Sequence, residues 1–121
     1  MQELGKTLTP SPILSTSVLG VSAINMLGSD DQKENYLPKI VAGELTTALA
    51  IDEGNHHDPF AIETTAILDG DHWVLNGKKV FVVDGSSADT ILIVARTSGK
   101  SGESNGISVF VASKKTAGLD V

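Results

Sequence analysis

"DTILIVAR", Asp89 to Arg96, carries the apolar run Ile91 to Ala95 without interruption. A strand with one wet face alternates apolar and polar side chains. An unbroken apolar run of strand length, bounded by turn residues, belongs to a strand covered on both faces. The stretch therefore predicts a central strand, and its neighbours in sequence must supply sheet partners and cover. Downstream, the polar turn "TSGKSGESN" leads into a further strand, "NGISVFVAS", ending at Ser113. Upstream, "TTAILDGDHWVLNGKKVFVV" (Thr64 to Val83) reads as three strands joined by tight turns at Asp69-Gly70-Asp71 and Asn76-Gly77. Asn-Gly is the strongest short hairpin signal in the chain. "TTALAI" (Thr46 to Ile51) is the first strand of the series.

Before Gly43 the period is helical. Ser11-Pro12 reads as an N-cap followed by proline at the first helical position. Apolar residues then recur at Leu14, Val18 and Val21, and at Ile13, Ile24 and Leu27, until Gly28 ends the segment. "SDDQ" (Ser29 to Gln32) is a capping box with acids in the first turn, where they complement the helix dipole. The short helix that follows is expected to bend or restart at Pro38 and to close at Gly43. The fold class is α+β: a short helical hairpin followed by an antiparallel β-sheet or open β-barrel. Two such helices cannot cover themselves, and "KKTAGLDV" adds no closing strand at the sheet edge. The chain is expected to be part of something larger and to self-associate.

The composition narrows the function classes. A length of 121 residues suits one domain-sized core, and the absence of Cys excludes disulfides and thiolate chemistry. A net charge of -6 with no Lys/Arg run disfavours nucleic acid and anionic membrane as partners. No apolar run is long enough to span a bilayer, and "MQELGKTL" does not read as a signal peptide; a cytoplasmic location is expected.

"AIDEGNHHDP" (Ala50 to Pro59) puts two adjacent histidines in an acidic, glycine-containing loop. A metal patch is one reading. Against it, adjacent side chains in an extended segment point to opposite faces, and no established zinc spacing is present. A solvated loop is the other reading. His72 beside the Asp69–Asp71 turn reads as a surface residue, and Trp73 as packing. Asp30, Asp31 and Glu34 read as a solvated helix start rather than an acid–base pair.

Taken in order, "GSDDQKENYLPKIVAGEL", "DGDHWVLNGKKVFVVDGSSAD", "ILIVARTSG" and "GISVFVASKKTAGLDV" resemble the acyl-CoA dehydrogenase family over nearly the whole chain. Gly28, Gln32, Lys33, Tyr36, Leu37, Pro38, Ile40, Gly43 and Glu44 match that family's segment at the end of its helical domain. The resemblance implies that residues 1–43 end a helical N-terminal domain and that residues 44–121 are most of a middle β-domain. It implies no catalytic residue here, because the family's base usually lies in a C-terminal bundle that this chain does not contain. The 121-residue chain alone is therefore expected to be inactive.

The resemblance also implies FAD, an acyl-CoA substrate, an electron-transfer flavoprotein or similar acceptor, and a homo- or hetero-oligomer. It carries the flavin contacts onto two altered stretches. In the first, family-typical T-E-P-x-x-G-S-D, Ile51 stands for Thr, Asp52 for Glu, Glu53 for Pro and His57 for Ser, while Asp58 is retained. In the second, family-typical K-x-[WF]-I-[TS]-N-G, the chain reads "KVFVVDG". Lys79, Phe81, Val82 and Gly85 fit, Val83 lacks the hydroxyl, and Asp84 replaces Asn. The implied cofactor-side residues are Ile51, Asp52, His57, Phe81, Val82 and Val83. Phe81 by its own sequence context reads equally as a core strand residue. The losses at Ile51 and Val83 leave a second functional reading, a non-catalytic structural subunit of the family paired with a flavin-competent partner.

Overall fold

The computed structural model describes residues 2–121. A short helix α1 (Gln2–Thr7) precedes a π-helical segment, Ile13–Gly20, which runs directly into α2 (Val21–Leu27); α3 follows (Asp30–Val41). The strands are β1 (Thr47–Ala50), β2 (Thr65–Asp69), β3 (His72–Asn76), β4 (Thr90–Arg96) and β5 (Ile107–Ser113).

β4 is the central strand, buried along its whole length. β5 pairs antiparallel along one edge, from Thr90↔Ser113 to Arg96↔Ile107. The other edge is shared: β1 runs parallel to Thr90–Ile93, and β2 meets β4, also parallel, at Thr65↔Arg96. β2 and β3 form the antiparallel hairpin expected at Gly70, whose φ of 60° supplies the left-handed turn. The α+β class with an unclosed sheet is as the sequence implies, but the sheet is mixed rather than antiparallel: β1 and β2 run parallel to β4 while β5 runs antiparallel.

Alternation along β4 separates two packed faces. Ile91 and Ile93 join Ala50 in a core covered by Leu75, Val82, Ala112 and Leu119. Leu92, with Val109 and Val111 of β5, faces Ile24 and Leu27 of α2 and Tyr36 of α3 across a small cavity. The helices therefore cover one face of the sheet, and the segment after β3 covers the other.

Three local expectations are corrected. Asn76-Gly77 makes no hairpin, and "KKVFVV" forms no third strand. Instead Gly77 lies so close to Thr64 that a Cβ there would collide with it, and the chain leaves the ladder. Glycine serves close approach here rather than a turn. Pro38 does not interrupt α3, which continues to Val41; its missing donor falls on an exposed flank of the helix. Ser11 is no cap: the N-cap position is Pro12, without a side-chain hydrogen bond. The Ser29–Gln32 capping box does form, with both reciprocal hydrogen bonds present.

Trp73 packs against Phe110 of β5, ring centroids 5.2 Å apart and tilted by 58°. This is the packing role expected of it.

Candidate functional site

The loop after β1 and the segment after β3 are brought together by hydrogen bonds. The Val80 amide donates to the Asp52 carbonyl at 2.8 Å. Lys79 Nζ donates to the Ile51 carbonyl at 2.9 Å and to Glu53 Oε1 at 2.5 Å. The two stretches singled out in the sequence, which are separated by the β2–β3 hairpin, thus form one side of the molecule.

Within the loop the carboxylates turn inward. Asp52 Oδ1 lies 2.8 Å from His57 Nδ1. An ionised carboxylate only accepts, so with Asp52 ionised the proton of this contact sits on Nδ1. Asp58 Oδ1 accepts from the amides of Phe60 and Ala61, at 3.0 and 3.3 Å, and so orders the turn. Glu53 accepts from the Glu63 amide at 2.6 Å and the Thr64 amide at 3.0 Å, closing the loop on itself. His56 is exposed. Among the described residues no three His, Cys, Asp or Glu side chains gather as metal ligands would.

The electrostatics centre on Glu53 and Lys79, whose side chains are 12% and 9% exposed. Burial works to raise the Glu53 pKa, but the Lys79 ammonium and the Glu63 and Thr64 amides together hold it below the ordinary glutamate value. Burial pulls Lys79 below the ordinary lysine value, against the opposing pull of Glu53 and Asp52.

The remaining implied residues divide by face. Val82 packs on the Ala50, Ile91 and Ile93 core. Phe81 and Val83, on either side of it, are 75% and 44% exposed. Phe81 is thus not the core residue that its strand-like context allowed. Phe81 and Asp84 hold left-handed backbone, φ 53° and 57°, which is unusual for residues other than glycine. Ile51 and Asp52 are half-buried at the root of the loop, and His57 is exposed.

Sequence reading gave Glu53 and Lys79 no role in the site. The only signal that could have found them was an acid in place of the family-typical proline, with a lysine retained in the second stretch. Ser15 was missed as well. It donates to Asp84 Oδ2 at 2.6 Å and so ties the π-helical segment to the second stretch.

The arrangement presents an exposed apolar pair, Phe81 and Val83, beside a loop whose side-chain carboxylates are already engaged. That suits the flat apolar face of an aromatic cofactor ring, with polar contacts left to backbone groups. The exposed apolar pair fits the apolar face of a flavin ring, without the family hydroxyls at positions 51 and 83.

Residues 48–121 match the model of the acyl-CoA dehydrogenase middle domain, and residues 1–44 match that of its N-terminal domain. The chain is 39% identical to the short-chain specific acyl-CoA dehydrogenase of Clostridium acetobutylicum, covering 100% of this chain and 32% of that protein. It superimposes on the structure of a steroid ACAD with a TM-score of 0.85 at 28% identity, covering 96% of this chain and 30% of the other. A glutaryl-CoA dehydrogenase from Mycobacterium smegmatis, solved in complex with FADH2, gives a TM-score of 0.71 at 31% identity, covering 83% of this chain and 25% of the other. The chain thus spans about a third of the curated relative that it matches from end to end. With both domain models matched in order over nearly every residue, the chain belongs to the acyl-CoA dehydrogenase family.

Proposed function

We propose that this chain supplies the middle-domain face of the FAD and acyl-CoA site of an acyl-CoA dehydrogenase-like flavoprotein, acting in α,β-dehydrogenation of an acyl-CoA thioester. In this reading residues 1–43 close the helical domain and residues 44–121 form the middle β-domain. The observation that carries it is the joining of the two altered stretches through Lys79 and Val80, which sets Phe81 and Val83 beside the loop from Ile51 to Asp58.

Phe81 and Val83 would face the ring, and backbone groups of the Ile51–His57 loop would meet its polar edge. Asp52 holds His57 by one ring nitrogen, leaving the other available to a ligand. When bound, FAD supplies hydride acceptance, which no side chain of this chain provides. A base lying outside this chain would remove the substrate α-proton. An electron-transfer flavoprotein or similar acceptor would take the electrons, and the whole protein would work as a soluble oligomer in the cytoplasm. Among the described residues no helix is long and apolar enough to cross a membrane.

The test is flavin content and acyl-CoA oxidation by the full-length gene product, purified and incubated with FAD. Bound flavin and turnover with an artificial acceptor support the reading. A full-length protein that takes up no FAD and shows no turnover, alone or with a partner, overturns it. The absence of hydroxyls at Ile51 and Val83 favours a second reading, a non-catalytic subunit of the same family. In that case flavin and turnover appear only when a flavin-competent partner is added.

A further inference from the structure

Glu53 stands where the family typically carries proline, and its carboxylate is engaged on three sides. Oε1 accepts from Lys79 Nζ at 2.5 Å and from the Thr64 amide at 3.0 Å, and Oε2 accepts from the Glu63 amide at 2.6 Å. Lys79 in turn reaches the Ile51 carbonyl at 2.9 Å. One ion pair therefore joins the start of the loop at Ile51, its end at Glu63–Thr64, and the segment that carries Phe81 and Val83. A proline at position 53 would restrict its own φ but could link none of these.

The pair's hydrogen bonds go to Ile51, Glu63 and Thr64, the two ends of the loop, so it fixes the loop's placement. It is also nearly desolvated, which sharpens its geometry: charge-assisted hydrogen bonds are short and directional, and each charge is costly once its partner is gone.

We propose that Glu53 and Lys79 are positioning residues for the bound flavin, locking the loop and the Phe81–Val83 wall in one register. Backbone contacts then hold the ring where hydroxyls at Ile51 and Val83 are absent. The inference rests on the flavin reading above. It has a further electrical consequence. The intact pair is neutral overall, so removing one partner leaves a single charge beside the flavin. Glu53→Gln leaves the ammonium, which favours the more negative reduced flavin. Lys79→Met leaves the carboxylate, which disfavours it.

The experiment measures FAD affinity and flavin reduction potential in full-length wild type, Glu53→Gln, Lys79→Met and Lys79→Arg. FAD should bind about tenfold more weakly in the first two variants, for loss of one charged hydrogen bond. The potential should rise in Glu53→Gln and fall in Lys79→Met, while Lys79→Arg, which keeps the charge, should stay near the wild-type value. Opposite signs are the decisive result, because simple loosening of the loop would move both variants in the same direction. Where a charge-removing variant fails to fold, Glu53→Asp replaces it: a carboxylate one methylene shorter should weaken FAD with the potential unshifted. Wild type that binds FAD alongside variants of unchanged affinity, or shifts of one sign, overturns this inference alone. Wild type that binds no FAD overturns the flavin reading and this inference with it.

Discussion

Ser15 Oγ donates to Asp84 Oδ2 at 2.6 Å, joining residues 69 positions apart and tying the π-helical segment to the backbone that follows Val83. Thr16 makes a second tie: its hydroxyl donates to the Thr47 carbonyl at 3.1 Å and accepts from the Thr47 amide at 3.0 Å, satisfying the outer edge of β1. The seam between helix and sheet is thus made by hydroxyls from two adjacent residues, both buried.

Ser15→Ala should lower stability by about 1.5–3 kcal/mol, the cost of losing a hydrogen bond to a charged group. Asp84→Asn should cost less, because Asn still accepts from Ser15 and tolerates the left-handed φ of 57°. Thermal midpoints of the full-length variants check the order; equal losses would contradict it.

Gly20 packs directly on Thr47, so that a Cβ would overlap Thr47 Oγ1. Gly20→Ala should destabilise by about 1–3 kcal/mol through overpacking. Thr47 Oγ1 is buried without a hydrogen-bond partner, so adding Thr47→Ala to Gly20→Ala should restore much of the loss. A double variant no better than the single would show that the clash lies elsewhere.

Arg96 is 6% exposed and donates to the carbonyls of Ile62, Phe60, Glu103 and Asn105, at 3.0, 3.1, 3.1 and 2.8 Å. Lysine has neither the fork nor enough donors to replace it. Arg96→Lys should cost about 3 kcal/mol, since the buried Ile62 carbonyl and three part-buried carbonyls lose charged hydrogen bonds. It should also speed hydrogen exchange of the Gly102 amide, which bonds Phe60 of the partner loop. Unchanged exchange at Gly102 would count against this role.

Acid should weaken the fold through Glu53. Its native pKa lies below the ordinary 4.5, so the folded state binds its proton less readily than the unfolded chain does. The stabilisation is fully present above that ordinary value and is lost as pH falls through the lowered one. Asp89, lowered first by the Thr46 amide and then by its hydroxyl, adds to the same slope. Thermal midpoints measured downward from pH 6 should fall less steeply in Glu53→Gln than in wild type. Parallel curves would rule out Glu53 as a contributor.

Restoring the family-like residues together, Ile51→Thr, His57→Ser and Val83→Thr, should tighten FAD binding by up to about a hundredfold, from the hydroxyl hydrogen bonds regained at positions 51 and 83, near 1.5 kcal/mol each. Metal content should not change. Flavin titration of the full-length variant checks this, and a flat affinity would refute the account of the loop.

β4, the Ser29–Gln32 capping box and the Gly70 hairpin were legible in the sequence because each is set by neighbours within a few positions. An apolar run, a capping spacing and a left-handed glycine act locally, whatever the rest of the fold does. The membership of Ile51, Asp52, His57, Phe81, Val82 and Val83 in two altered stretches was legible only through the family resemblance, not through any local rule.

What the tertiary structure alone decided was contact between distant residues. Asn76-Gly77 carries a hairpin signal, yet the fold uses Gly77 to pass close to Thr64, and no local pattern distinguishes those uses. Strand alternation does not say that Val82 faces the core while Phe81 and Val83 face outward, since side choice follows from which segment the chain lies against. Nor could Glu53 be known to close its loop on Lys79, or Ser15 to hold Asp84. Such pairings form only when the packed sheet brings separate segments together, and for Glu53 and Lys79 burial then makes an unpaired charge costly. Local chemistry determined the elements; long-range burial determined their partners.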